Sequence, residues 1–429
     1  MNPENQKRIA LISVHGDPAI EIGKEEAGGQ NVYVRNVGEA LAKLGWKVDM
    51  FTRQVSKEQH SIIEHCDNCR TVRFKAGAFE FVPRDNLFGN LPEFVDNFLQ
   101  FQRENGYSYP LVHTNYWLSS WVGMRLKSLI GCKQVHTYHS LGAVKYSTID
   151  DIPPIASKRL EVETTLLETA ERVVATSPQE KAHMRQLVTT KGNIDIIPCG
   201  TDIHRFGSID RVAARAELVK SHETINSDDI IVMYVGRFDP RKGIETLVRA
   251  VAQSKLRNSG KLKLIIGGGS RPGQSDGFER ERIEKIVSDL GLSDITIFPG
   301  RISQEILPVY YAAADVCVVP SHYEPFGLVA IEAMASGTPV VASDVGGLQF
   351  TVVSEETGLL APAQDDTAFS EAIDRILINP QWRDELGEAG KERVISKFSW
   401  DGVAKQLSDL YTEILQKQPV KQPVLTSVK

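Results

Sequence analysis

Nowhere in this 429-residue chain does an apolar run approach the roughly 18 residues that cross a bilayer. The opening MNPENQKRIALISV passes from polar residues straight into a strand pattern, with no signal-peptide cleavage site. Membrane insertion and secretion are set aside on those grounds, and the expected compartment is the cytoplasm. Positive charge is short as well: the formal net charge of −6 excludes the broad phosphate-tracking surface of a nucleic-acid binder. Any bound phosphate must then be held by a few placed Arg or Lys side chains. Cysteines are few and odd in number, five in all, which suits a reducing compartment rather than a disulfide framework. Cys66 and Cys69 form a CxxC with His60 and His65 nearby, but Cys132, Cys199 and Cys317 fall in unrelated segments. A four-ligand zinc site lacks its second pair, so this stretch is expected to be a surface loop leading into the strand RTVRFKAG. The chain also lacks a G-x-G-x-x-G fingerprint, a G-x-x-x-x-G-K-[ST] loop and an Asp-x-Asp metal motif. Their absence lowers the dehydrogenase and NTPase readings.

What is present is ordinary globular composition, 41% hydrophobic and 24% charged, in a chain too long for one compact core. Short β-branched runs alternate with helical patterns, the signature of parallel strands crossed by helices. RIALISVH, KVDMFT, LVHTN, KQVHTYH, RVVATS and IDIIPCG form a first series, and IIVMYVGR, KLKLIIGGG, ITIFPG, VCVVPS and TPVVAS a second. The expected fold class is α/β, with two doubly wound Rossmann-like domains facing each other across a cleft. The first domain is expected over residues 1–205 and is completed by the C-terminal helix 398–417. The second covers 206–397, and the Pro-rich 418–429 is expected to be a disordered tail. Ligands of such sheets bind outside the carboxyl ends of the strands, which here puts them between the domains.

Three stretches could carry chemistry there. HGDPAIEIGKEEAGGQNVYV sets Gly28 and Gly29 directly before a helix, where the backbone can approach a ligand and free N–H groups suit a phosphate. A plain strand-to-helix loop would carry the same glycine pair. VGRFDPRKG follows the first strand of the second series, so Arg237 and Lys242 emerge at the cleft, either as a grip on two phosphates or as solvated cations. EPFGLVAIE places Glu324 in a loop and Glu332 on a helix opening near Gly327. Two acceptor-only carboxylates around a helix N-terminus suit a hydroxyl-rich ligand that carries an anion, which is the description of a sugar nucleotide.

GGQNVYV, GRFDPRKG and EPFGLVAIEAMASGTPVVASDVGG, on two sheet domains, resemble the family 4 retaining glycosyltransferases of GT-B fold, from about residue 8 to residue 415. The resemblance implies that Glu332 binds the ribose hydroxyls, that Arg237 and Lys242 bind the diphosphate, and that Glu324 holds a hydroxyl of the donor hexose. The backbone of Phe326, Gly327 and Leu328 would line the same sugar, with Gly28 and Gly29 at the phosphates. HTYHSLGAVKY, residues 136–146, resembles the acceptor-side loop of the sucrose-phosphate synthase branch. By that resemblance His139 faces the transferred hexose and Lys145 lies near the acceptor. Arg84, Tyr116 and Arg159 would surround an acceptor phosphate, and Gly29, Gln30 and Thr137 complete the acceptor side. The implied partners are UDP-glucose and a phosphorylated sugar, fructose 6-phosphate, with a separate phosphatase acting afterwards on the product, since no appended phosphatase segment is read in the sequence. Neither nucleic acid nor membrane is an expected partner. No metal is required in this reading, because the cations already supply positive charge, and stimulation by Mg2+ stays open. An inositol-phosphate N-acetylglucosaminyltransferase is the nearest enzymatic alternative, and a non-catalytic nucleotide-sugar sensor is the alternative of another class.

Overall fold

The computed structural model describes residues 7–20, 28–147, 151–270 and 272–416, so the tail expected over 418–429 lies outside the described residues. Strands β1 (Arg8–Ile12), β2 (Lys47–Arg53), β3 (Ile62–Cys66), β4 (Cys69–Phe74), β5 (Leu111–Asn115), β6 (Lys133–Thr137), β7 (Arg172–Ala175) and β8 (Ile194–Ile196) form one sheet in the order β3-β4-β2-β1-β5-β6-β7-β8. Strands β9 (Ile230–Val235), β10 (Leu262–Gly267), β11 (Thr296–Gly300), β12 (Val316–Val319), β13 (Val340–Ser343) and β14 (Gly358–Ala361) form a second, in the order β11-β10-β9-β12-β13-β14. Every pairing is parallel except β3 with β4. Near-continuous apolar runs such as IIVMYV explain this, because a parallel sheet is covered by helices on both faces. The architecture is GT-B: two Rossmann-like α/β sheets.

Two details differ from the sequence reading. Cys66 and Cys69 do not sit in a loop; they are register partners across the two-residue turn of the β3–β4 hairpin, with Asn68 at φ +63°. Asn tolerates that left-handed backbone better than most residues. No group of three or more His, Cys, Asp or Glu side chains able to hold a metal occurs among the described residues. The second addition is β14, whose four residues, GLLA, are too short to show periodicity.

In each sheet the order reverses beside the first strand, between β1 and β5 and between β9 and β12, and crevices form at such switch points. The chain passes from the first sheet to the second near Thr201 and returns near Ser399, and the two passages are joined by the Thr201 amide donating to the Phe398 carbonyl at 2.7 Å. The returning helix Trp400–Gln416 lies on the Gly29–Lys43 helix, with the Trp46 indole donating to Ser408 Oγ at 2.9 Å. One apolar cluster, from Ile9 and Val34 through Trp400 to Ile331 and Met334, runs continuously beneath both sheets.

Candidate functional site

Both switch points deliver side chains to the space between the sheets. On the second sheet, the chain leaving β9 forms the short 3-10 turn Pro240–Lys242, capped by Asp239, whose side chain accepts from the Arg241 amide. Adjacent cations on so tight a turn point apart. Arg241 folds back on Asp239, with Nη2 donating to Oδ2 at 2.6 Å, whereas Lys242 Nζ donates to Glu324 Oε2 at 2.6 Å. Arg237 is exposed, and its carbonyl accepts from the Tyr234 hydroxyl at 3.1 Å.

Glu324 lies in the loop after β12, and Glu332 lies on the helix Leu328–Ala335. Gly327 caps that helix at φ +96°, and a Cβ there would approach Leu348 Cδ2 to 2.6 Å, so only glycine permits this entry. The helix opens toward the first sheet, since a Cβ built on Gly29 would lie 3.1 Å from Leu328 Cδ1. Two helix starts, at Gly28–Gly29 and at Gly327–Leu328, therefore meet near Glu324, and their leading amides favour an anion. Phe326 is buried with its ring edge-on to Phe398, which anchors the loop.

Glu332 accepts from the Tyr311 hydroxyl at 2.9 Å. Burial pushes its carboxyl up to about 7, against the opposing influence of Tyr311 and the Arg205 guanidinium. A carboxyl raised in this way holds a proton in the folded state that the unfolded chain has already released, so stability falls as pH rises from the ordinary carboxylate range to about 7. Glu332→Gln is accordingly expected to melt above wild type at pH 8, by on the order of 2 kcal/mol, with the gap closing by pH 4.5. Thermal unfolding of both proteins across that range checks it; a gap independent of pH would contradict the carboxyl's state. Arg205 also lines a cavity of about 660 Å³ between the sheets, with Asn31, Arg35 and Asn36 on one wall and Arg301, Ser303 and Gln304 on the other.

On the first sheet, two residues in left-handed backbone conformation mark the strand ends: Tyr116 at φ +71° after β5 and His139 at φ +59° after β6. Non-glycine residues adopt this region at a cost, and such strain gathers at functional sites. The Asn115 amide nitrogen faces the carbonyls of Ile12 and His113, which leaves Oδ1 to accept from His139 Nε2 at 2.9 Å. Burial lowers the His139 pKa to about 3, so the ring is neutral and serves as a hydrogen-bonding group rather than a cation. Gln30 is held by Nε2 donating to Ser13 Oγ at 2.9 Å.

The acceptor-side cations do gather. His15 packs against the Tyr116 ring at 4.5 Å, and its pKa is lowered to about 3, first by burial and then by the nearby Arg84 and Arg159 guanidinium charges. Lys145 is lowered by burial and by Arg84, Arg159 and Arg241, with Asp85 opposing. Burial and neighbouring arginines that together disfavour the charged forms of Lys145 and His15 make a site that an anion would relieve. Arg241 comes from the second sheet, and neither it nor His15 was singled out by the sequence. The signal available was only that Arg241 stands next to Lys242.

Two residues expected on the acceptor side are fully enclosed by protein. The Arg159 side chain and that of Glu163 are both 0% exposed and paired at 2.7 Å. Its Nη1 also donates to the Tyr116 hydroxyl at 3.1 Å, and its Nη2 to the Ser140 carbonyl at 2.6 Å. Glu163 in turn accepts from the Gly142 amide at 2.9 Å. The pair thus ties down both Tyr116 and the loop between His139 and Lys145. Thr137 is buried, its hydroxyl paired with His113 Nε2 at 2.9 Å, so it supports the strand end from below.

Residues 27–205 match the model described as Glycosyltransferase Family 4, and residues 216–393 the model described as Glycosyl transferases group 1. A D-inositol 3-phosphate glycosyltransferase of Corynebacterium urealyticum is 35% identical, over 95% of this chain and 96% of that protein. Among solved structures, the sucrose-phosphate synthase of Thermosynechococcus elongatus is 52% identical with a TM-score of 0.86, covering 95% of this chain and 99% of that one. Anabaena Alr3699/HepE in complex with UDP and glucose, 19% identical with a TM-score of 0.74 over 95% of this chain and 100% of that one, shares the fold.

Proposed function

The chain belongs to glycosyltransferase family 4, and from that premise we propose that it moves glucose from UDP-glucose to fructose 6-phosphate with retention, giving sucrose 6-phosphate and UDP. The observation that carries the reading is the gathering of Arg84, Lys145 and Arg159 around Tyr116 and His15, across the cleft from the Lys242–Glu324 pair. In this reading the gathering would hold the acceptor phosphate beside the diphosphate at the paired helix starts, as a transferase with a phosphorylated acceptor needs. The likeness to the Thermosynechococcus synthase favours the hexose phosphate, while the likeness to inositol-phosphate glycosyltransferases supports the second reading.

In the proposed reaction, negative charge grows on the leaving diphosphate as the sugar becomes oxocarbenium-like. Arg237, Lys242 and the Gly28–Gly29 amides stabilise that charge. Glu332 accepts from the ribose hydroxyls and Glu324 from the hexose, whose ring the Phe326, Gly327 and Leu328 backbone borders. Neutral His139 hydrogen-bonds the transferred hexose on its other side, beside Gln30. The acceptor hydroxyl attacks on the leaving-group face and passes its proton to a departing phosphate oxygen. No metal is required in this scheme, and Mg2+ acts at most as a stimulator. A separate phosphatase would consume the product.

Release of UDP from UDP-glucose, measured with fructose 6-phosphate, fructose, inositol phosphate and no acceptor, tests the reading. The expected result is turnover with fructose 6-phosphate and at least about 10²-fold less with fructose, the scale of losing a charge-assisted contact set. Preference for inositol phosphate would establish the second reading. Binding of UDP-glucose without release under any condition would mean a sensor rather than an enzyme.

A further inference from the structure

Tyr33 sits on the Gly29–Lys43 helix one turn after Gly29, on the same face, and is 1% exposed. Its ring stands edge-on to two others: His139, with centroids 4.8 Å apart, and Trp400, 5.9 Å apart. Trp400 opens the returning helix at the passage between the sheets, where Gly200 of the outgoing chain is so close that a Cβ on it would lie 2.7 Å from the Trp400 ring. One unbroken line of contact therefore runs from the crossover through Trp400 and Tyr33 to His139. His139 needs that support. Its backbone is left-handed, and one edge of its ring is fixed by Asn115, while Tyr33 closes the other side.

We propose that Tyr33 is the positioning residue of His139, and that through Trp400 it sets the imidazole according to how the two sheets are seated at the crossover. The proposal rests on the reading of His139 as a residue that faces the transferred hexose. Hinged sheets close on their ligands, and contacts packed at the hinge change with closure. A ring wedged between the crossover and the active-site histidine transmits that change without touching substrate. Tyr33 thereby makes turnover, rather than substrate binding, depend on correct seating.

The test uses the full chain with UDP-glucose and fructose 6-phosphate. Tyr33→Leu is expected to lower kcat by roughly 10- to 100-fold with both KM values within about twofold, and Tyr33→Phe, which keeps the ring, to restore turnover. In a His139→Ala background Tyr33→Leu is expected to cost nothing further, because its effect passes through the imidazole. Nuclear magnetic resonance of histidine-labelled protein adds a readout that needs no substrate. The His139 signal, assigned by its loss in His139→Ala, should be a single Nε2–H tautomer in wild type and should shift or broaden in Tyr33→Leu and in Trp400→Leu. A rise in KM with kcat unchanged, additive losses in the double variant, or an unaltered His139 signal in both Leu variants would overturn the proposal. Should no acceptor support turnover, the functional reading fails, and the His139 signal still decides the position of Tyr33.

Discussion

Replacing Lys242 by alanine is expected to leave the protein folded and to cut turnover by about 10²–10³-fold, on the order of 3–4 kcal/mol in the barrier. The two halves of that expectation have different physical sources. Lys242 Nζ meets Glu324 Oε2 at 2.6 Å, and both side chains remain partly exposed, at 29% and 17%. A pair so placed contributes little to stability, because solvent screens it and two side chains must be immobilised to form it. Thermal unfolding should therefore move by a degree or two at most. During the proposed transfer the same ammonium faces an anion whose charge increases toward the transition state, inside a cleft where water is being excluded. There it contributes far more than it does at rest. Lys242→Arg is not expected to restore the rate, since a planar fork cannot replace a compact point charge between the paired helix starts. Single-turnover release of UDP, alongside a melting curve, checks both halves. Wild-type rates in Lys242→Ala would remove the lysine from the reaction.

Much of this site was legible in the sequence because its parts are local. Glu324, Gly327 and Glu332 lie within nine residues, and the helical period behind the glycine fixes which of them sits in a loop and which on a helix. The alternating strands and helices likewise gave two sheets, since parallel pairing imposes its own pattern of apolar runs. What could not be read depends on distant partners or on very short elements. The Arg159–Glu163 pair was within reach of the sequence, four residues apart on one helix, but the enclosure also needs Tyr116 and the Ser140 carbonyl, which come from other elements that no spacing connects to that helix. Arg241 reaches the acceptor side only because two separate sheets face each other. The Cys66–Cys69 hairpin was missed because its first strand, IIEHC, alternates weakly at a sheet edge, where both faces see solvent.

Arg159 itself gives the second large effect. Arg159→Met should destabilise the protein by about 3–5 kcal/mol, because it strands Glu163 as an uncompensated charge at 0% exposure. Burial opposes the guanidinium's charge, and Glu163 and Tyr116 outweigh that opposition, so the native group stays protonated throughout the working range. Loss of activity in the single variant would then say nothing about phosphate recognition, since Tyr116 and the loop at Gly142 lose their tether together. Removing both charges separates the two roles. Arg159→Met/Glu163→Leu should recover most of the stability, leaving chiefly the Gly142 amide without its acceptor at a cost of about 1–3 kcal/mol. Although Arg159 spends its donors on neighbours and is paired with Glu163, its guanidinium lies within the cluster that perturbs His15 and Lys145, so in the proposed reaction it would add to the attraction of an acceptor phosphate without touching it. The double variant is therefore expected to lose roughly tenfold or more in its preference for fructose 6-phosphate over fructose, measured as the ratio of the two kcat/KM values. If both acceptors instead slow by the same factor, the buried pair serves the geometry of the loop alone, and the phosphate is recognised by Arg84 and Lys145 without it.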